Sequence, residues 1–184
     1  MRLLADIDVL GDAGLQRRIA RLSGALAIAG LALGAAVGVA TAADGGAAWT
    51  PWWWVALVAA SAVALPVHEL VHAAAFKALA SGCRVSFGWE GAFLYTSAAG
   101  AVLPRGRMVA VLLAPAVVVT AALAVGALAA ACPTLAVLLA AAHLSGCAGD
   151  LLMALAALRE GSCTHVRDTE RGIDLLCDLS KGDR

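Results

Sequence analysis

Five consecutive residues, His68-Glu69-Leu70-Val71-His72, form an H-E-x-x-H sequence. On an α-helix His68 and His72 stand one turn apart on a single face, where two imidazoles can bind one metal ion. Glu69 is rotated about 100° from His68. It is poorly placed as a third ligand, yet able to reach a water bound to that ion. Zinc hydrolases divide the labour in this way: ligands hold an open tetrahedral site, zinc acidifies the water, and a carboxylate takes its proton. With four His and four Glu in 184 residues, chance would produce this pattern about 0.002 times.

Zinc held by two His needs a third protein ligand. Asp150 is the other acid inside an apolar stretch. It lies 17 residues beyond Pro133, and His68 and His72 lie 16 and 20 residues beyond Trp52. At about 1.5 Å per residue these depths agree within a few ångströms. His143, seven residues before Asp150 on the same helical face, and Cys147, three before it, are the alternatives. Both are displaced outward from the matched depth. Gly146 and Gly149 flank Asp150 and are expected to admit a close helix approach. An ionisable group within a membrane span costs on the order of 2.5–3.5 kcal/mol, so such groups point to function. Neutral, hydrogen-bonded packing histidines are the bland reading, and it leaves Glu69 unexplained.

The elements that must position these residues follow from composition. The chain is 62% apolar and only 14% charged, with mean hydropathy +0.88. Soluble domains are nearer 45–50% apolar and about 25% charged. Thirteen Lys and Arg balance thirteen Asp and Glu, which argues against a basic nucleic-acid-binding face. Four apolar stretches, 22–43, 52–76, 108–131 and 133–158, each reach the roughly 20 residues that cross hydrocarbon. Backbone groups there must be satisfied within each segment, so the expected fold is an all-α polytopic membrane protein of four helices. All thirteen cations fall before the first stretch, between the second and third, or after the fourth. Positive residues stay inside. Both termini (1–21 and 159–184) and the 77–107 loop are therefore expected to be cytoplasmic. Trp52, Trp53 and Trp54 then belong at the outer interface.

Smaller signals fill in the rest. Ala40-Thr41-Ala42 resembles a signal-cleavage site, but the preceding apolar run of 22 residues is too long for a signal, so a retained anchor is expected. Gly30, Gly34 and Gly38 share one helical face; close packing against another span and mere compositional bias both account for it. Leu3, Ile7 and Leu10, then Leu15, Ile19 and Leu22, predict an interfacial helix across the 1–21 leader. Val85, Phe87 and Trp89, then Gly91, Phe93 and Tyr95, form a hairpin pattern. Such a hairpin is either a structural element or an edge strand for an extended substrate. Val166–Asp168 and Ile173–Leu176 predict a second hairpin. Pro66 and Pro115 leave the carbonyls of Ala62 and Val111 without their helical donors. The five cysteines form no C-x-x-C pair and are expected to be reduced.

Pro66 to Ala73, Leu113-Ala114-Pro115, Gly149-Asp150 and Val166 to Gly172 together resemble a bacterial membrane family. It is catalogued as a domain of unknown function and described as zincin peptidases. The likeness extends over roughly Pro66 to Ile173, and the family is similar in plan to the site-two intramembrane proteases. The resemblance implies His68, His72 and Asp150 as zinc ligands and Glu69 as base. Ser145-Gly146-Cys147-Ala148-Gly149-Asp150 stands where many site-two proteases carry Asn-Pro-Asp-Gly, so an Asn that would orient substrate is missing.

The function expected is a zinc metallopeptidase of the cell membrane, cleaving a membrane-embedded or juxtamembrane polypeptide. The alternative is a non-catalytic metal-binding protein, whether carrier, sensor or pseudopeptidase. A transporter is disfavoured, because the polar residues gather at one depth instead of lining a path.

Overall fold

The computed structural model describes residues 1–42, 50–90 and 93–178. The chain is mostly helical, and its elements run β1 (Arg2–Asp8), α1 (Ala13–Ala42), α2 (Pro51–Leu79), β2 (Ser86–Glu90), β3 (Phe93–Ser97), β4 (Val102–Pro104), α3 (Arg105–Ala129), α4 (Pro133–Gly146), α5 (Ala148–Arg159), β5 (His165–Thr169) and β6 (Gly172–Cys177). The connection expected at 44–51 lies mostly outside the described residues, as do Gly91 at the hairpin tip and the end of the tail.

Helices α1, α2 and α3 are each long and apolar enough to cross a membrane, and α4 with α5 forms a further candidate bent by 58°. The fourth stretch is thus not the straight helix the sequence predicted. Many large apolar side chains of these helices face outward, Val39, Ile28, Val58, Val117 and Val125 among them. Water would disfavour that surface; lipid would not.

Contacts divide the chain into two compact units: one of Met1–Ile19, Glu69–Pro115 and Gly149–Arg184, the other of Ala20–His68 and Ala116–Ala148. The first unit holds a four-stranded antiparallel sheet in the order β1-β6-β5-β4 and the two-stranded β2-β3 hairpin. Both hairpins agree with the alternation of their side chains. Met108, Val111, Val166, Ile173 and Leu175 form this unit's core, with Phe76, Ala154 and Ala157 packed among them.

The leader departs from expectation. Residues Arg2–Asp8 pair with β6 as a strand and do not form an interfacial helix. Asp8 ends that strand by accepting the N–H groups of Leu10 at 3.0 Å and Gly11 at 2.6 Å. Asp12 then caps α1, its carboxylate accepting the N–H groups of Gly14 and Leu15. Leu15, Ile19 and Leu22 are helical as predicted, within α1 itself.

In the second unit Gly30, Gly34 and Gly38 form the buried face of α1. A methyl group at Gly30 would collide with Ala141, and one at Gly34 with Leu138, both on α4. Close packing, not composition alone, therefore accounts for that stripe. Trp53 is buried against Ala127, Leu135, Ala136 and Leu139, whereas Trp52 is exposed. Gly146 and Gly149 do not support the close approach expected of them: a methyl group at either would meet nothing within 4 Å. They flank the break between α4 and α5.

Candidate metal centre

The H-E-x-x-H sequence lies within α2 with no interruption, so His68 and His72 keep the one-turn spacing that the motif requires.

In the first unit His72 is buried, and its Nδ1 lies 3.1 Å from the carbonyl oxygen of Val111 on α3. A carbonyl only accepts, so Nδ1 carries a proton; in the neutral ring Nε2 then keeps its lone pair. That carbonyl is available because Pro115, four residues further along α3, has no N–H to offer it. A carbonyl on one ring nitrogen is the usual means of orienting a metal-binding imidazole.

His72 Nε2 faces Asp150 Oδ1 at 3.5 Å. This exceeds the 2.7–3.2 Å of an N–H···O bond, and with the ring neutral and the carboxylate ionised both atoms present lone pairs. Only a cation between them, a proton or a metal ion, makes that approach favourable. Two nitrogen or oxygen ligands of one tetrahedral zinc, at bonds of about 2.0–2.1 Å, stand roughly 3.3–3.4 Å apart. The pair fits a zinc edge. Asp150 is half-buried in the first turn of α5, where the helix dipole favours a carboxylate. Glu69 is half-buried, and its main-chain carbonyl accepts the Thr96 hydroxyl at 2.9 Å, which ties β3 to α2 at the motif.

In the second unit His68 Nδ1 lies 3.3 Å from His143 Nε2, and Cys147 Sγ lies 3.8 Å from His68 Nδ1. His143 and Cys147 are buried. Thr120 Oγ1 is 2.8 Å from His143 Nδ1. The depth argument set His143 and Cys147 aside as too far outward, yet both meet His68. That argument treated the fourth stretch as straight, whereas α4 ends at Gly146. His143 and Asp150 consequently do not share a helical face. Sequence reasoning missed Thr120, although a hydroxyl in the middle of an apolar helix is itself a signal.

A further buried acid, Asp168 on β5, was not singled out. Its Oδ2 accepts the Ser97 hydroxyl at 3.0 Å and the Ala98 N–H at 2.7 Å. Burial pushes its carboxyl up to about 6, against the opposing pull of those two donors.

A protein-family model described as "Putative zincin peptidase" matches residues 61–164. No curated protein and no solved structure matches the chain.

Proposed function

Since the family match spans more than half its length, the chain belongs to the zincin peptidase family so described, and from that premise we propose that it is a membrane-embedded zinc metallopeptidase. His68, His72 and Asp150 are the proposed ligands and Glu69 the proposed base. The observation that carries the reading is the 3.5 Å approach of His72 Nε2 to Asp150 Oδ1, with His72 Nδ1 committed to the Val111 carbonyl. His68 joins them through the helical spacing of α2.

Zinc bound there supplies an acidified water and a Lewis acid for the scissile carbonyl. Glu69 takes the proton of the attacking water and hands it to the leaving nitrogen. The hydrogen bond from the Thr96 hydroxyl to the Glu69 carbonyl keeps the hairpin beside the motif, so the β2-β3 pair is a candidate surface for an extended polypeptide. The proposed substrate is a membrane-embedded or juxtamembrane polypeptide. The proposed location is the cell membrane, with both termini on the cytoplasmic side.

A first test compares new protein N-termini in membranes of cells expressing the wild type and Glu69→Gln, alongside the zinc content of each purified protein. Glu69→Gln is expected to keep its zinc and lose the cleavage products, since a general base contributes about 10²–10⁴-fold. Equal zinc with identical N-termini in both samples would instead establish the non-catalytic, metal-holding alternative.

A further inference from the structure

The second unit brings together a set of metal-ligating side chains that the hydrolytic scheme does not use: His143 on α4 and Cys147 at the α4–α5 break, both against His68. The three edges of this triangle are 3.3 Å (His68 Nδ1 to His143 Nε2), 3.8 Å (Cys147 Sγ to His68 Nδ1) and 3.9 Å (Cys147 Sγ to His143 Nε2). With Zn–N bonds of about 2.0–2.1 Å and a Zn–S bond of about 2.3 Å, a tetrahedral site has N–N edges near 3.3 Å and N–S edges near 3.6 Å. The triangle matches one face of that tetrahedron to within a few tenths of an ångström.

Hydrogen bonding explains the same distances less well. The imidazole nitrogens stand slightly beyond the usual 2.7–3.2 Å range. The thiol already has a helical acceptor in the His143 carbonyl, at 3.2 Å. Cys147 is also 3.7 Å from His143 Nδ1, but that nitrogen is engaged by Thr120 at 2.8 Å. The Thr120 contact sets the ring so that Nε2 is the atom turned to His68, which is how an outer-shell partner orients a metal-binding histidine. Two imidazoles and one thiolate make a soft set that suits zinc and carry one compensating negative charge in an apolar surrounding.

We propose that His68 Nδ1, His143 Nε2 and Cys147 Sγ form a second zinc site with its fourth position open. A neutral imidazole has a single in-plane lone pair, so an ion held at His68 Nδ1 withdraws that side chain from any site shared with His72. The second site would thus store zinc while keeping the H-E-x-x-H sequence incomplete. That consequence rests on the hydrolase reading; the binding itself does not.

The test uses the full chain in detergent, stripped of metal and titrated with Co²⁺ alone, in an Asp150→Ala background that removes the site with His72. One equivalent of Co²⁺ is expected to bind with a thiolate-to-cobalt charge-transfer band in the near ultraviolet. Adding Cys147→Ser should abolish the band, and adding His143→Gln should weaken binding at least tenfold. Absence of binding, binding with no such band, or a band that survives Cys147→Ser overturns the proposal. Should the double variants fail to fold, zinc-edge X-ray absorption of Asp150→Ala itself decides the matter. A sulfur neighbour at about 2.3 Å is expected, and a shell of nitrogen and oxygen alone refutes it. The hydrolase reading can fail in its Glu69→Gln comparison whatever these spectra show.

Discussion

Asp168 shows how far a single carboxyl can set the behaviour of the sheet. Its folded-state value of about 6 lies above the ordinary 3.8, so the folded chain holds that proton more tightly than the unfolded one. The stability this contributes is complete below about pH 4 and is lost as pH rises through about 6, with an upper bound near 3 kcal/mol. Asp168→Asn keeps an acceptor for the Ala98 N–H and removes the buried charge. Thermal unfolding of that variant is expected to lose the decline between about pH 4 and 7. Asp168→Ala leaves both Ser97 and Ala98 without their acceptor and should cost about 1–3 kcal/mol. A wild-type stability flat across that interval would contradict the assignment. This residue was invisible in the sequence because its partners lie some 70 positions away. The H-E-x-x-H spacing was legible because helical periodicity alone fixes it, whereas the depth match that put Asp150 forward counted rise per residue along a stretch that bends by 58°.

At the scale of elements, the consequential irregularities are the proline in α3 and the break after α4. Pro115 was read as freeing the Val111 carbonyl, and His72 takes up that carbonyl. Pro115→Ala would supply an N–H and return the carbonyl to α3, leaving His72 Nδ1 in competition for it. We expect helix content to hold or rise while zinc affinity falls about 10–100-fold, the usual effect of losing an outer-shell partner. Isothermal titration with zinc on both proteins measures it, and unchanged affinity would mean that the carbonyl does not orient the ring. Packing of α1 offers a second check. Gly34→Leu meets Leu138 where there is no room, so it should lower the unfolding temperature, whereas Gly24→Leu, at a position with open space, should not. The break after α4 escaped the sequence reading because 133–158 carries a single charge, Asp150, and Cys147 gives no proline-like signal. The leader was misread for a different reason. Leu3 and Ile7 satisfy a helical period, while Leu3, Ala5 and Ile7 satisfy a strand period equally well. What decides between them is pairing with residues 172–177, a distant partner that no local pattern encodes.

For the molecule as a whole, the sheet constrains topology independently of charge. β1 precedes α1, β4 lies between α2 and α3, and β5 and β6 follow α5, yet all four strands form one hydrogen-bonded sheet. An open sheet has edges that hydrocarbon cannot satisfy, so its strands belong on one side of a bilayer. An even number of crossings must therefore separate β1 from β4, and again β4 from β5. On the proposed membrane reading, helices α1 and α2 supply the first two, and α3 and the bent α4–α5 pair supply the second. The proposed cytoplasmic side rests on the cation distribution, since the cations gather in the same three regions as the strands. Single-cysteine variants in intact cells test both arguments. Cys132, at the α3–α4 turn, is expected to react with a membrane-impermeant maleimide, while Cys83 and Cys177 should react only after permeabilisation. If Cys83 and Cys132 label from the same side, α3 does not cross, and the sheet and charge arguments fail together. If instead all three merely exchange sides, the parity required by the sheet survives and only the positive-inside assignment falls.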